Sequence, residues 1–300
     1  MGRCGGTDDD ALADSSPTNG APLALITCPT CDSDDINGTP QPDSRLLIHC
    51  NDCGHEWLRG EARRDPARPA VQTSESLHAT FPTAADVRPD VRERVALLTS
   101  EFLLERPGPD PDVAAYRDRY AALFTRENLS SATADQLLHF ANSTTVADPG
   151  NISGFNRAWK TAGPDKAAGQ VRATIEYLLF GPESLKLEDR MTHLVDGTKK
   201  GLGFPSFKES LLTKVLCVVE PERFLPVVKY TAAAGGKKEL TKAVFELDLP
   251  PVEKSAYTVG RLAVWSNDLL RSLVGNELPD LQEAAKFLQW AKNQPVLSTS

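Results

Sequence analysis

Cys28-Pro29-Thr30-Cys31 and Cys50-Asn51-Asp52-Cys53-Gly54-His55-Glu56-Trp57 decide how the N-terminal part of this 300-residue chain folds. Each C-x-x-C places two thiolates on one tight turn, and eighteen residues separate the pairs. Two such turns supply four sulfurs to one tetrahedral ion and leave no open position for water or substrate. The spacing predicts a structural Zn2+ site at Cys28, Cys31, Cys50 and Cys53. A disulfide framework could use the same residues. The chain opens, however, with Asp8-Asp9-Asp10 in place of a basic start and an apolar run, so nothing marks it for an oxidising compartment.

Outward from the cysteines, Gly54 can take a positive φ and turn backbone N–H groups toward sulfur. Arg45-Leu46-Leu47-Ile48-His49 reads as a strand entering the second pair, and Glu56-Trp57-Leu58 as a short strand leaving it. Asn37-Gly38-Thr39-Pro40-Gln41-Pro42 reads as a loop from its turn residues. His49 and His55 flank a shell that four thiolates already complete, so they are expected at the surface or against the sulfurs. Residues 23–59 are thus expected to form a small β module pinned by metal. CPTC…CNDCGHEW resembles the transcription-factor-type zinc ribbons, which also occur as additions to bacterial proteins; the resemblance covers about an eighth of the chain.

The remainder reads as mainly α, so the fold expected is a small zinc-ribbon β module followed by a multi-helix domain. Residues 1–22 are rich in Gly, Asp and Ser and read as a disordered tail. Residues 60–85 carry Pro66, Pro69 and Pro82 and read as a linker, and residues 86–300 as the α-helical domain. Val91, Val95, Leu98 and Phe102 mark one helix face, closed by Arg106-Pro107-Gly108-Pro109. Val113, Tyr116, Tyr120, Leu123 and Phe124 mark the next, behind Pro111 at a first turn. Ser131 or Thr133 can cap a short helix carrying Leu137, Leu138 and Phe140. A loop is expected over 142–154, and helices over 165–180, 183–196, 206–220, 236–247, 253–274 and 278–293. Trp265, Trp290 and Cys217 read as core residues, and Phe224–Val228 is the one further strand candidate.

The net charge of −8 argues against wholesale nucleic-acid binding but permits local basic patches. Arg59, Arg63, Arg64 and Arg68 follow the ribbon and face only Glu61 and Asp65. Residues 186–242 hold eleven Lys/Arg against seven Asp/Glu. Within them, Lys199-Lys200-Gly201-Leu202-Gly203 precedes a predicted helix, where a glycine turn can aim free N–H groups at a phosphate. That turn resembles the hairpin of helix–hairpin–helix DNA-binding folds. The wider stretch from Lys199 to Val227, with T-K-V-L before P-E-R-F-L-P, resembles a helical segment of proteins accompanying McrBC-type restriction systems. The resemblance implies a DNA-associated role in bacterial defence.

Catalytic patterns are thin. No G-x-S-x-G, H-E-x-x-H or P-loop occurs, and Glu246-Leu247-Asp248 lacks the lysine of a nuclease D/E-x-K. His139 and His193 sit on apolar helix faces. The function expected is therefore association with nucleic acid, DNA rather than RNA, by a zinc-binding protein. A protein–protein adaptor using the ribbon to dock, and a metal-dependent nuclease with a ribbon appendage, are the alternatives. No apolar run approaches the ~20 residues needed to span a bilayer, so no membrane partner is expected and a cytoplasmic location is.

Overall fold

The computed structural model describes residues 27–41, 45–59, 74–105, 110–199, 201–253 and 258–294. Strands β1 (Ile36–Pro40), β2 (Leu46–Cys50) and β3 (Glu56–Arg59) form one antiparallel sheet in that order. The helices are α1 (Ser74–Ala79), α2 (Pro89–Glu105), α3 (Pro111–Leu123), α4 (Ala134–Asn142), α5 (Ser153–Ala162) and α6 (Pro164–Phe180). They continue with α7 (Leu187–Val195), α8 (Glu209–Val219), α9 (Lys237–Phe245), α10 (Val259–Val274) and α11 (Leu281–Ala291). The chain is mainly α, with the small sheet at its N-terminal end.

Local chemistry accounts for several boundaries. Asp110 caps α3 by accepting from Asp112 N–H, with Pro111 in the first turn. Thr133 and Gln136 form a capping box at α4. The helices bury their stripes in three apolar clusters. Tyr116, Tyr120, Phe124 and Phe140 pack with α5, α6 and α8 in the largest. Val91, Val95, Leu98 and Phe102 of α2 meet Phe287 and Leu288 of α11 in the second. Leu77 and Phe81 meet Trp265 in the third. α7 and α10 cross so closely that a Cβ on Gly260 would stand 2.3 Å from Thr192 N. Asp196, at the end of α7, caps α10 by accepting from Val259 and Gly260 N–H at 3.3 and 3.1 Å.

Five expectations change. Residues 36–40 are a strand where a loop is expected: Gly38 and Pro40 sit on an edge, which tolerates both. A Cβ on Gly38 would lie 2.7 Å from Leu46 Cδ2, so a larger residue there would push the Leu46 side chain aside. Within the span read as linker, residues 60–73 lie outside the described residues, while Ser74–Ala79 is helical with Leu77 buried. α5 lies in a stretch assigned no element, and Phe155 and Trp159, one turn apart, bury its inner face. α8 begins at Glu209 and not at 206, since Phe204 and Phe207 are buried by the turn that precedes it. Residues 224–228 are irregular, with a bend at Pro226 and no strand pairing among the described residues. The tail expected over 1–22 lies outside the described residues.

Candidate metal centre and the surface around it

Both knuckles are built alike. Asp32 N–H donates to Cys28 O, and Gly54 N–H to Cys50 O, each at 2.9 Å. The residue after each pair turns left-handed: Asp32 has φ +58° and Gly54 φ +71°. Thr30 N–H points at Cys28 Sγ, 3.4 Å away. The four sulfurs lie within 4.8 Å of one another, with Cys28–Cys53 at 3.5 Å and Cys31–Cys50 at 3.6 Å. An ion bonded to four sulfurs at about 2.3 Å requires tetrahedral edges of about 3.8 Å. The spacing is far longer than a disulfide bond, and all four cysteines are free. Crowding divides their protons. The thiol hydrogen bond between Cys31 and Cys53 pushes Cys31 up and pulls Cys53 down to about 5, while burial pushes Cys50 up to about 11. A cation among them would hold all four as thiolates. The donor set fits a structural metal ion. Among the described residues it is the one group of three or more His, Cys, Asp or Glu close enough to share an ion.

The ribbon is seated on the helices through its acidic residues. Asp52, inside the second knuckle, pairs with Lys229 and accepts from Ser33 Oγ at 2.5 Å. Asp32 lies in the field of Lys208, whose amine donates to Leu194 and Val195 O at the end of α7, both at 3.0 Å. Asp34 faces Gly154, where a Cβ would lie 3.6 Å from its carboxylate and 2.8 Å from Ser206 Oγ. Arg157 and Lys229 line the polar cavity of about 190 Å3 left along this seam. Lys229 is held by its neighbour: Tyr230 N–H donates to Glu209 at 2.6 Å, and Tyr230 Oη to Pro250 O at 2.5 Å. Burial pushes Glu209 up to about 7 and its neighbour Lys237 down to about 8. Part of the basic excess in residues 186–242 therefore meets the ribbon's own carboxylates, a pairing that charge counting along the sequence does not show.

The β3 residues paired with Leu46 and Ile48 lie on the sheet face that also carries the buried Ile48 and Cys50. Alternation along β3 sets His55, Trp57 and Arg59 on one face. His55 and Trp57 stack, with centroids 5.7 Å apart and planes 20° from parallel. Arg59 is exposed. On the opposite face, His49 meets Glu56 at 3.3 Å. Neither histidine belongs to the cluster of sulfurs.

Of the other predicted phosphate contacts, Arg63, Arg64, Arg68 and Lys200 lie outside the described residues. Lys199 rests over the Tyr177 ring, 5.2 Å from its centroid. Gly201 and Gly203 have φ of +80° and +87°, as the glycine turn requires. The turn does not abut α8, because residues 204–208 intervene. α8's free amides lie beyond the five residues that follow Gly203. His139 and His193 each face a tyrosine hydroxyl, Tyr120 at 2.7 Å and Tyr177 at 2.6 Å. Glu246 bridges Arg88 and Arg94, tying the end of α9 to α2. No helix among the described residues is long and apolar enough to cross a membrane. Comparison with protein-family models, curated proteins and solved structures found no match to this chain.

Proposed function

We propose that this chain is a zinc-ribbon protein that binds nucleic acid, DNA in preference to RNA, through the half-buried His55 and Trp57 and the exposed Arg59 at β3. The observation that carries the reading is the aromatic–basic row His55, Trp57, Arg59 beside the four-cysteine knuckles. Stacked rings offer a base a π-face, and an exposed guanidinium offers a phosphate a charge-assisted bond. The four thiolates hold Zn2+ as a structural ion that fixes the knuckle and with it the row. Arg63, Arg64 and Arg68 follow in sequence and extend the basic run. The resemblance of Lys199–Val227 to restriction-associated segments agrees with a DNA-facing accessory role in bacterial defence. Lys199, Lys200 and the Gly201–Gly203 turn supply a second phosphate contact in this reading.

Binding of labelled DNA, followed by anisotropy as salt is raised, tests it. Arg59→Ala should lower the salt slope by about 1 with metal content unchanged. Failure of the wild-type protein to bind any nucleic acid at low salt would sink the proposal. A protein partner is the second reading, favoured by Leu97 and Leu104, 67% and 88% exposed and seven residues apart on α2. No observation among the described residues favours the nuclease alternative.

A further inference from the structure

A cleft of about 460 Å3 opens between the second knuckle and α9. Its volume falls in the range of small-ligand sites. One wall is His55, backed by the stacked Trp57. Ala232 and Ala233 from the turn before α9, and Pro251 and Val252 from the segment before α10, also line it, together with the hydroxyl-bearing Thr30 and Thr231. A flat ring entering here has an imidazole and small aliphatic groups among its neighbours.

The charges at the rim fall into two kinds. Glu239 is engaged twice, by Gly235 N–H at 2.9 Å and by Lys292 at 3.3 Å, and Asp248 is paired with Lys242 at 2.7 Å. Lys238, half-buried at the same rim, has no carboxylate partner among the described residues. Among the described residues, the cleft thus offers Lys238 as a cation without a carboxylate partner beside Ala232, Ala233, Pro251 and Val252. Arg59 stands four residues beyond His55 on the same β3 face, about 13 Å away along an extended strand.

We propose that this cleft takes one unpaired base of a single-stranded nucleic acid. The base lies against His55, its phosphate meets Lys238, and the strand continues along β3 past Trp57 to Arg59. The assignment deepens the nucleic-acid reading above and rests on it. A base within a duplex is stacked and paired and cannot enter such a slot, so the site selects single strands.

The test uses the full, zinc-loaded chain and fluorescein-labelled oligothymidylate of about 20 nucleotides, with a duplex of equal length as the comparison. The single strand should bind more tightly than the duplex. Ala233→Trp, at an exposed position, fills the slot and should weaken single-strand binding roughly tenfold or more while leaving the salt slope unchanged. Lys238→Gln keeps the slot open and should reduce the slope by about 0.7. Equal affinity for duplex and single strand overturns the proposal. So does wild-type affinity and slope in both variants while Arg59→Ala still lowers the slope, an outcome that leaves the broader reading standing. Absence of any binding by the wild-type chain removes both.

Discussion

The ribbon and the helical body are stabilised by different means. In the ribbon, the buried hydrophobic residues among those described are Cys28, Ile48 and Cys50, two of them metal ligands. In the body, Tyr120, Phe124, Phe140, Phe155, Leu212 and Phe287 are each fully enclosed. A unit of about forty residues or fewer cannot fold on so little apolar burial and needs a staple. The body has its own core and needs none. Two of their contacts are charged, Asp52 with Lys229 and Asp32 with Lys208, while Asp34 faces Gly154. If the four cysteines hold an ion, the ribbon's fold depends on it, while the body rests on apolar packing.

The comparison breaks most sharply if the metal is taken away. Chelation, or Cys50→Ser, should remove a binding energy of about 10–16 kcal/mol that is also folding energy. Amides of β1–β3 should then exchange freely while those of α6 and α10 stay protected. A cooperative loss of both would show that the body also depends on the metal. Phe140→Ala tests the other half. Phe140 is wholly buried among Tyr116, Tyr120 and Phe124, so its loss should cost about 3–5 kcal/mol in denaturant unfolding, with zinc content unchanged.

Lys214 sharpens the account of the body's core. Its amine is buried, donates to Phe140 O at 2.9 Å and to Ser143 O, and lies over the Tyr116 and Phe140 rings. Burial lowers it to about 8, against an ordinary lysine near 10.4. Between those values the unfolded chain holds the extra proton. Lys214's contribution therefore grows as pH rises through the window, and is lost as pH falls through about 8. Unfolding of the wild-type chain and Lys214→Met should diverge across pH 8 to 10.4 by at most about 3 kcal/mol. Parallel pH curves would contradict the burial argument.

The smallest effect is at the seam. The Asp52 and Lys229 side chains are 25% and 23% exposed, so solvent screens part of their attraction. Asp52→Asn should keep zinc and cost about 1 kcal/mol, read as faster exchange at Ser33 and in β2 than in α8.

Much of this was legible in the residues. The cysteine spacing gives the metal site because four ligands on two turns have one compact solution. The apolar stripes Val91–Phe102 and Val113–Phe124 give α2 and α3 because their period is helical. β1 was not legible, since Gly38 and Pro40 read as turn residues unless the edge position is known. α5 was missed because Phe155 and Trp159 are only two anchors in ten residues. The seating of the ribbon is hidden for another reason: Asp32 and Asp34 lie far in sequence from Lys208 and Gly154, and charge counts along the chain do not pair distant residues. The row His55, Trp57, Arg59 was visible only in part, with Arg59 chosen for its charge. That the three share a face follows from the strand, and was not drawn from the sequence.

The central claim is that one metal ion organises the ribbon and with it the β3 face. Native mass spectrometry of the intact chain and of Cys50→Ser tests it most directly. The account predicts one zinc ion per wild-type chain, bound with loss of thiol protons, and none in the variant. A wild-type chain without metal that still protects the β1–β3 amides, or a variant that keeps its full zinc, would contradict it.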